Sequence, residues 1–233
     1  MSRSDREMPN RDAPRRDLPD RAAYLAGWSD LHGDLAPSAL VRYWLGACYL
    51  PARTLARAGT APAAITATAL LAALVAPALV GWLGGWWLLV AAAMVVISGV
   101  LDNLDGGVAV LTGRSTAFGA VLDSVCDRFA DTAYCVALWA AGAPGWLAGV
   151  VAFAGALQEY VRARAAGVGM RGVGVVTLWE RPTRVIMAAL LLVGCVVLRS
   201  AAGVVATAGL AVSLGLALVG NTQLLCACRR ELR

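Results

Sequence analysis

From about residue 61 onward the chain alternates long apolar runs with short breaks, and charge gathers at every second break. The runs lie near 62–80, 85–106, 117–140, 146–166, 183–198 and 203–226. Between them stand Gly81 with Gly84-Gly85, Thr112-Gly113, Ala143-Pro144-Gly145, the glycine-bearing loop 167–180, and Ala201 to Gly203. Glycine and proline at such points end helices, and runs of this length suit helices that cross a bilayer. The pattern predicts an all-α integral membrane protein with about six transmembrane helices.

Upstream, residues 37–58 mix Leu40, Val41, Trp44, Leu45 and Tyr49 with Arg42, Arg53 and Arg57. That mixture predicts a helix lying in the lipid interface over 36–60, bent at Pro51. A plain juxtamembrane linker accounts for the same residues. Residues 1–35 are rich in Arg, Asp and Pro and are expected to be a disordered tail. They lack the apolar stretch of a secretory signal. Six spans put both termini on one side. There the reading collects Arg42, Arg53, Arg57, Arg114, Arg162, Arg164, Arg171, Arg181, Arg184, Arg229, Arg230 and Arg233. The turns at 81–84 and 141–146 carry no charge, and the third opposite turn has Arg199 alone. The positive-inside rule then makes the tails cytoplasmic, with 61–228 as the membrane domain of a multi-pass cell-membrane protein and 229–233 as its cytoplasmic end.

Composition narrows the chemistry. Apolar residues make up 59% of the chain, mean hydropathy is +0.68, and every basic residue is an arginine. A net charge of +5 is too small to argue for a nucleic-acid partner. The six cysteines form no CxxC, and the only histidine is His32, so a zinc site has no ligand set. Cys226 and Cys228 read as small hydrophobes.

The acids are the informative exception. No charge lies between Arg57 and Asp102, and five of the eight acids after residue 40 fall between 102 and 131. A carboxylate near a bilayer centre costs roughly 2.5–3.5 kcal/mol on insertion scales, so a cluster there has a function. Asp102 and Asp105 are three apart, Asp123 and Asp127 four apart, and on helices each pair shares a face. Span order brings the two pairs together at one membrane surface. Clustered carboxylates repel unless a cation sits among them, and hard oxygen ligands suit Mg²⁺ or Mn²⁺. Gly106 and Gly107 follow the first pair and Gly119 precedes the second, leaving room for a bulky ligand; close helix packing is the other use of such glycines. Asp131, one turn further, is expected to pair with Arg128 or another arginine.

The run Asp102-x2-Asp105-Gly106-x2-Ala109, then Gly119-x3-Asp123-x3-Asp127, resembles the signature of the CDP-alcohol phosphatidyltransferases. Residues 118–128, 160–165 and 180–184 are similar to the actinobacterial phosphatidylinositol phosphate synthases within that family, and the likeness spans 37–228. The resemblance implies that Asp102, Asp105 and Asp123 hold two divalent metals against the pyrophosphate of a CDP-linked donor, CDP-diacylglycerol. Asp127 would touch the metals and act as general base toward a polar alcohol. Gly106, Ala109 and Gly119 would make room for the cytidine diphosphate. One position departs: the family pattern has an arginine directly after the alanine, and here it is Val110. Arg114, four residues on, is the nearest replacement at the donor end. Relatives are often dimers, so a homodimer is compatible with the resemblance.

Arg162 and Arg164 end the fourth span, and Arg181 and Arg184 open the fifth. Charge alone would make them topological anchors. The resemblance makes them an acceptor-phosphate pocket, with Arg162 where those enzymes have lysine and Glu180 as an orienting partner. Inositol phosphate leads as acceptor, glycerol 3-phosphate follows. A divalent-metal transporter is the alternative from another class, and a catalytically weak paralogue is a third reading suggested by Val110.

Overall fold

A computed structural model describes residues 18–31, 39–170 and 176–232. The expected disorder of 1–17 and 32–35, together with His32, Arg171 and Arg233, lies outside those residues. Among them the chain forms α1 (Arg21–Leu31), α2 (Ala39–Arg57), α3 (Pro62–Ala78), α4 (Trp87–Thr112), α5 (Ala117–Ala140), α6 (Gly145–Gly167), α7 (Arg181–Val197) and α8 (Ala202–Glu231), with no strand.

Helix ends follow local chemistry. Pro62 and Pro182 sit in the first turns of α3 and α7, where a missing N–H costs nothing. Gly113, at φ +62°, closes α4 in the left-handed conformation that favours glycine. The Thr116 side chain then caps α5 by accepting from the Gly119 N–H at 2.9 Å. Two elements outrun their expected lengths. α4 passes through Gly106 and Gly107 to Thr112, and α8 reaches Glu231. α3 continues into a π-helical turn, Leu79–Leu83.

Helices α3 to α8 pack as one bundle around a core in which alanine dominates: Ala73, Ala76, Ala91, Ala137, Ala206 and Ala217 are fully buried. Small residues let helix backbones approach closely where lipid removes most of the hydrophobic drive. Large apolar side chains such as Leu71, Ile97, Phe153, Leu190 and Val204 face outward instead. Among the described residues, three helical stretches are long and apolar enough to cross a membrane: Pro62–Leu83, Trp87–Thr112 and Arg199–Glu231. α5 and α6 carry charged residues at one end, and α7 has 17 residues.

At the end away from the aspartates, the three turns gather. Gly142, at φ +112°, lies against Gly203, where a Cβ would come within 3.0 Å of the neighbouring backbone. Trp82, Trp86, Trp87, Trp139 and Trp146 are exposed around this end, and Arg199 stacks 5.7 Å from the Trp86 ring. Exposed tryptophans at one level are the mark of a membrane–water interface.

α2 runs unbroken through Pro51 and packs beside α4. Its buried face, Leu45, Cys48, Tyr49, Ala52 and Ala56, joins Leu104, Val108 and Leu111 of α4 in a second apolar cluster. Residues 21–31, expected to belong to the disordered tail, are helical. Asp20 caps them by accepting from the Ala23 N–H at 2.8 Å, and Tyr24, only 1% exposed, anchors them in the same cluster. Burial pushes the Tyr24 phenol up to about 12. A single well-buried aromatic and a cap hold a segment that composition alone reads as solvated.

Candidate active site

Side chains of α4 and α5 reach each other at the end opposite the tryptophans, where three of the four signature carboxylates converge. Ligand oxygens of Asp102, Asp123 and Asp127 all lie within 4.8 Å of one another. Asp123 Oδ1 is buried without a hydrogen-bond partner. An orphaned buried oxygen beside two further carboxylates fits a divalent cation, which such hard ligands select. The fourth, Asp105, stands just outside this trio. It is buried, within 2.5 Å of the Thr66 hydroxyl on α3, and accepts from the Gly106 N–H at 2.6 Å. Sequence reasoning missed Thr66, which nothing in the sequence sets apart from Thr68 of the same span.

Beside the carboxylates opens a cavity of about 450 Å³ walled by α3, the end of α4 and the start of α5. Asp105, Gly106, Ala109, Arg114, Gly119 and Asp123 line it; Asp102, also expected at the donor end, does not. Gly106 faces this opening, with nothing within 4 Å of the place a Cβ would take. Gly107 does not: a Cβ there would lie 3.1 Å from both the Ala52 Cβ and the Tyr24 hydroxyl. The two glycines divide the two uses foreseen for them, ligand room and helix packing. Val110 lies on the packing side as well, half-buried against the α1–α2 cluster. Arg114 is exposed at the cavity rim.

The arginines are not four equal members of one pocket. Arg181 forms ion pairs with both Asp102 and Asp127, so it sits inside the carboxylate cluster. Arg184 is 5% exposed, and both its terminal nitrogens are engaged, by Asp131 at 2.7 Å, Glu159 at 3.2 Å and the Trp179 carbonyl at 3.1 Å. Arg162 is held by Glu180 at 2.8 Å and by Glu159 at 3.5 Å. Arg164 is exposed and, among the described residues, has no ion pair. The reason is helix geometry: Arg162 and Arg164 are about 200° apart around α6, which turns about 100° per residue.

Glu180 is the partner of Arg162, as expected. Burial alone would raise its carboxyl, but Arg162 and the Thr177 N–H, which donates at 2.8 Å, hold it below the usual range. Asp131 takes the expected structural role, buried between Arg184 and, at 3.5 Å, Arg128. Glu159, given no role from sequence, reaches Arg128, Arg162 and Arg184 together. Arg128, a quarter exposed and 3.7 Å from Asp127, is a further cation at the cluster edge. The sequence marked it only as a partner for Asp131.

Residues 59–219 match the family model for CDP-alcohol phosphatidyltransferases. An archaetidylinositol phosphate synthase of Methanothermobacter thermautotrophicus is 41% identical over 125 residues, 53% of this chain and 61% of that protein. A phosphatidylinositol phosphate synthase of Mycolicibacterium smegmatis is 34% identical over 144 residues, 58% of this chain and 63% of that one. The chain thus spans about three fifths of these relatives' length. Among solved structures, the Mycobacterium tuberculosis phosphatidylinositol phosphate synthase with CDP-DAG bound matches with a TM-score of 0.61 and 26% identity, covering 78% of this chain and 92% of that one. The same enzyme in complex with manganese and citrate matches with a TM-score of 0.64 and 25% identity, over 78% and 88%.

Proposed function

The chain belongs to the CDP-alcohol phosphatidyltransferase family, and on that premise we propose that it transfers a phosphatidyl group from CDP-diacylglycerol to a polar alcohol, releasing CMP. The observation that carries this reading is the convergence of Asp102, Asp123 and Asp127 beside the cavity lined by Gly106, Ala109, Gly119 and Arg114.

Asp102, Asp105, Asp123 and Asp127 would hold one or two divalent ions, Mg²⁺ or Mn²⁺, which supply charge neutralisation on the diphosphate and the leaving group. Asp105 is kept in place for that role by Thr66. The open side of Gly106 and the Ala109 wall receive the cytidine diphosphate, with Arg114 reaching its phosphates from the rim. Asp127 takes the proton of the acceptor hydroxyl; that oxygen bonds to the β-phosphorus as the bond to CMP breaks. A carboxylate among cations is a weak base, so alignment of the hydroxyl supplies much of the rate.

A phosphorylated alcohol such as inositol phosphate is the acceptor this site favours. Arg181 lies directly at the reacting carboxylates, and Arg128 and Arg162 stand behind it. Guanidinium groups suit a phosphate monoester. The relatives' names point the same way. A glycerol 3-phosphate acceptor uses the same cations. The transporter alternative is disfavoured because the core beyond the Tyr134–Ser98 hydrogen bond continues as Val95, Ala91 and Ala137 with no further carboxylate among the described residues.

All six helices α3 to α8 span the membrane in this reading, with the aspartates and both termini on the cytoplasmic side. The charge-poor, tryptophan-ringed end then marks the far interface. Self-association as a homodimer is part of the proposal. The deciding experiment incubates purified protein with CDP-diacylglycerol and a panel of alcohols, following lipid product and CMP. Metal-dependent CMP release with a phosphorylated alcohol is expected; release with no alcohol, or none with any, would sink the reading.

A further inference from the structure

Helix α1 lies outside the residues that match the family model, yet it is pinned to the very turn of α4 that carries the cavity wall. The Tyr24 hydroxyl fills the notch left by Gly107, and its ring centre lies 5.6 Å from that of Tyr49. Tyr49 in turn donates to the Pro19 carbonyl at 3.1 Å, tying the entry of α1 to α2. Gly27 leaves little room for a side chain: a Cβ there would lie 3.0 Å from Cγ1 of Val110, which would have to give way. Gly27 and Val110 are therefore a matched pair, and the long side chain of an arginine at 110 would meet the same helix.

Gly106 and Ala109, each one residue before a packing residue, line the cavity on the neighbouring face of α4. A helix turn moves as a unit, so what holds Gly107 and Val110 also places Gly106 and Ala109. We infer that α1 is a positioning element for the donor end of the site, acting through Tyr24 on Gly107 and through Gly27 on Val110 to hold the wall formed by Gly106 and Ala109. This rests on the donor reading of the cavity.

Coupling of this kind is reciprocal, so donor that favours the held wall must also favour docked α1. Cys48 reports docking without reference to activity, because it is buried in the cluster that Tyr24 joins. The full-length protein in lipid nanodiscs is treated with a maleimide, and alkylation at Cys48 is followed by peptide mass spectrometry with and without CDP-diacylglycerol. Donor should slow alkylation by about fivefold. Gly27→Leu should speed alkylation and raise the donor KM by about fivefold, with kcat and the acceptor KM within about twofold. Adding Val110→Ala should return both toward the starting values, since it removes the colliding methyl groups. Tyr24→Ala serves as the independent second variant, with the same pattern expected.

Faster alkylation in Gly27→Leu and Tyr24→Ala with an unchanged donor KM would overturn the inference. So would a loss of kcat together with a rise in both KM values that Val110→Ala does not reverse. Absence of CMP release from the unaltered chain would instead sink the transferase reading, while protection of Cys48 by CDP-diacylglycerol would still decide this one.

Discussion

The two sides of the site are built on opposite principles. On the α3–α4–α5 side, space is made by leaving side chains out: Gly106 opens onto nothing within 4 Å, and Ala109 and Gly119 add little bulk to the wall. On the α5–α6–α7 side, space is filled with charge, and Arg128, Arg162, Arg181 and Arg184 are all paired to Asp or Glu. A ligand on the first side meets a preformed cavity. A phosphate on the second must compete with carboxylates already in place. Binding there is an exchange of partners, and the arginines differ in what each can give up.

The largest effect expected is from Asp123→Asn, because its buried Oδ1 has no hydrogen-bond partner and the proposed metal role falls on it. A neutral amide is a poor ligand for a hard ion, so CMP release should fall by at least about 10³-fold, as it should in excess EDTA. Activity surviving both treatments would leave the carboxylates a purely structural cluster.

Next comes stability. Arg184→Ala leaves Asp131 and Glu159 without their buried partner, and breaking such a pair costs about 3–5 kcal/mol. A markedly lower Tm and poor recovery from detergent are expected. An unaltered Tm would mean that Arg184 is free to bind substrate after all.

Arg181→Ala tests the exchange itself. The acceptor KM should rise by about tenfold for a phosphorylated alcohol and hardly move for free inositol, with the donor KM little changed. Arg164→Ala, at an exposed site without an ion pair among the described residues, should have a smaller effect. Equal effects from both would restore a single shared pocket. Gly106→Val gives the mirror image, raising the donor KM by several-fold, about 1 kcal/mol, while sparing the acceptor. If it instead raised the acceptor KM, the two sides would have to be exchanged.

The smallest effect is acid sensitivity at Glu180. Its carboxyl is held below the usual range in the folded protein, so its contribution to stability is present above its unfolded pKa of about 4.3 and fades as pH falls below that. Glu180→Gln should flatten the fall in Tm between about pH 5 and 3. A slope unchanged in the variant would assign that acid sensitivity to other carboxylates.

Much of this was legible along the chain because the signals are local. Apolar run length, glycine and proline at the breaks, and the three- and four-residue spacing of the aspartates depend only on neighbours, and α5 begins and ends where the pattern places it. The same spacing led to the expectation that both aspartate pairs would meet, since alternating helices return to one end; Asp102, Asp123 and Asp127 do, and Asp105 stands just outside. Composition misjudged α1, because one buried tyrosine and one cap outweigh a polar average.

What the chain by itself determined is therefore the helical bundle, its charged end and the identity of the acids. Partner choice was decided only in three dimensions. Gly106 and Gly107 are adjacent in sequence, yet a turn of about 100° sends one to the cavity and the other against Tyr24. Arg181 and Arg184 differ by less than one turn, and one joins the carboxylate cluster while the other is held by Asp131 and Glu159. Such outcomes depend on how neighbouring helices are placed and rotated against each other, and no spacing within one helix encodes that.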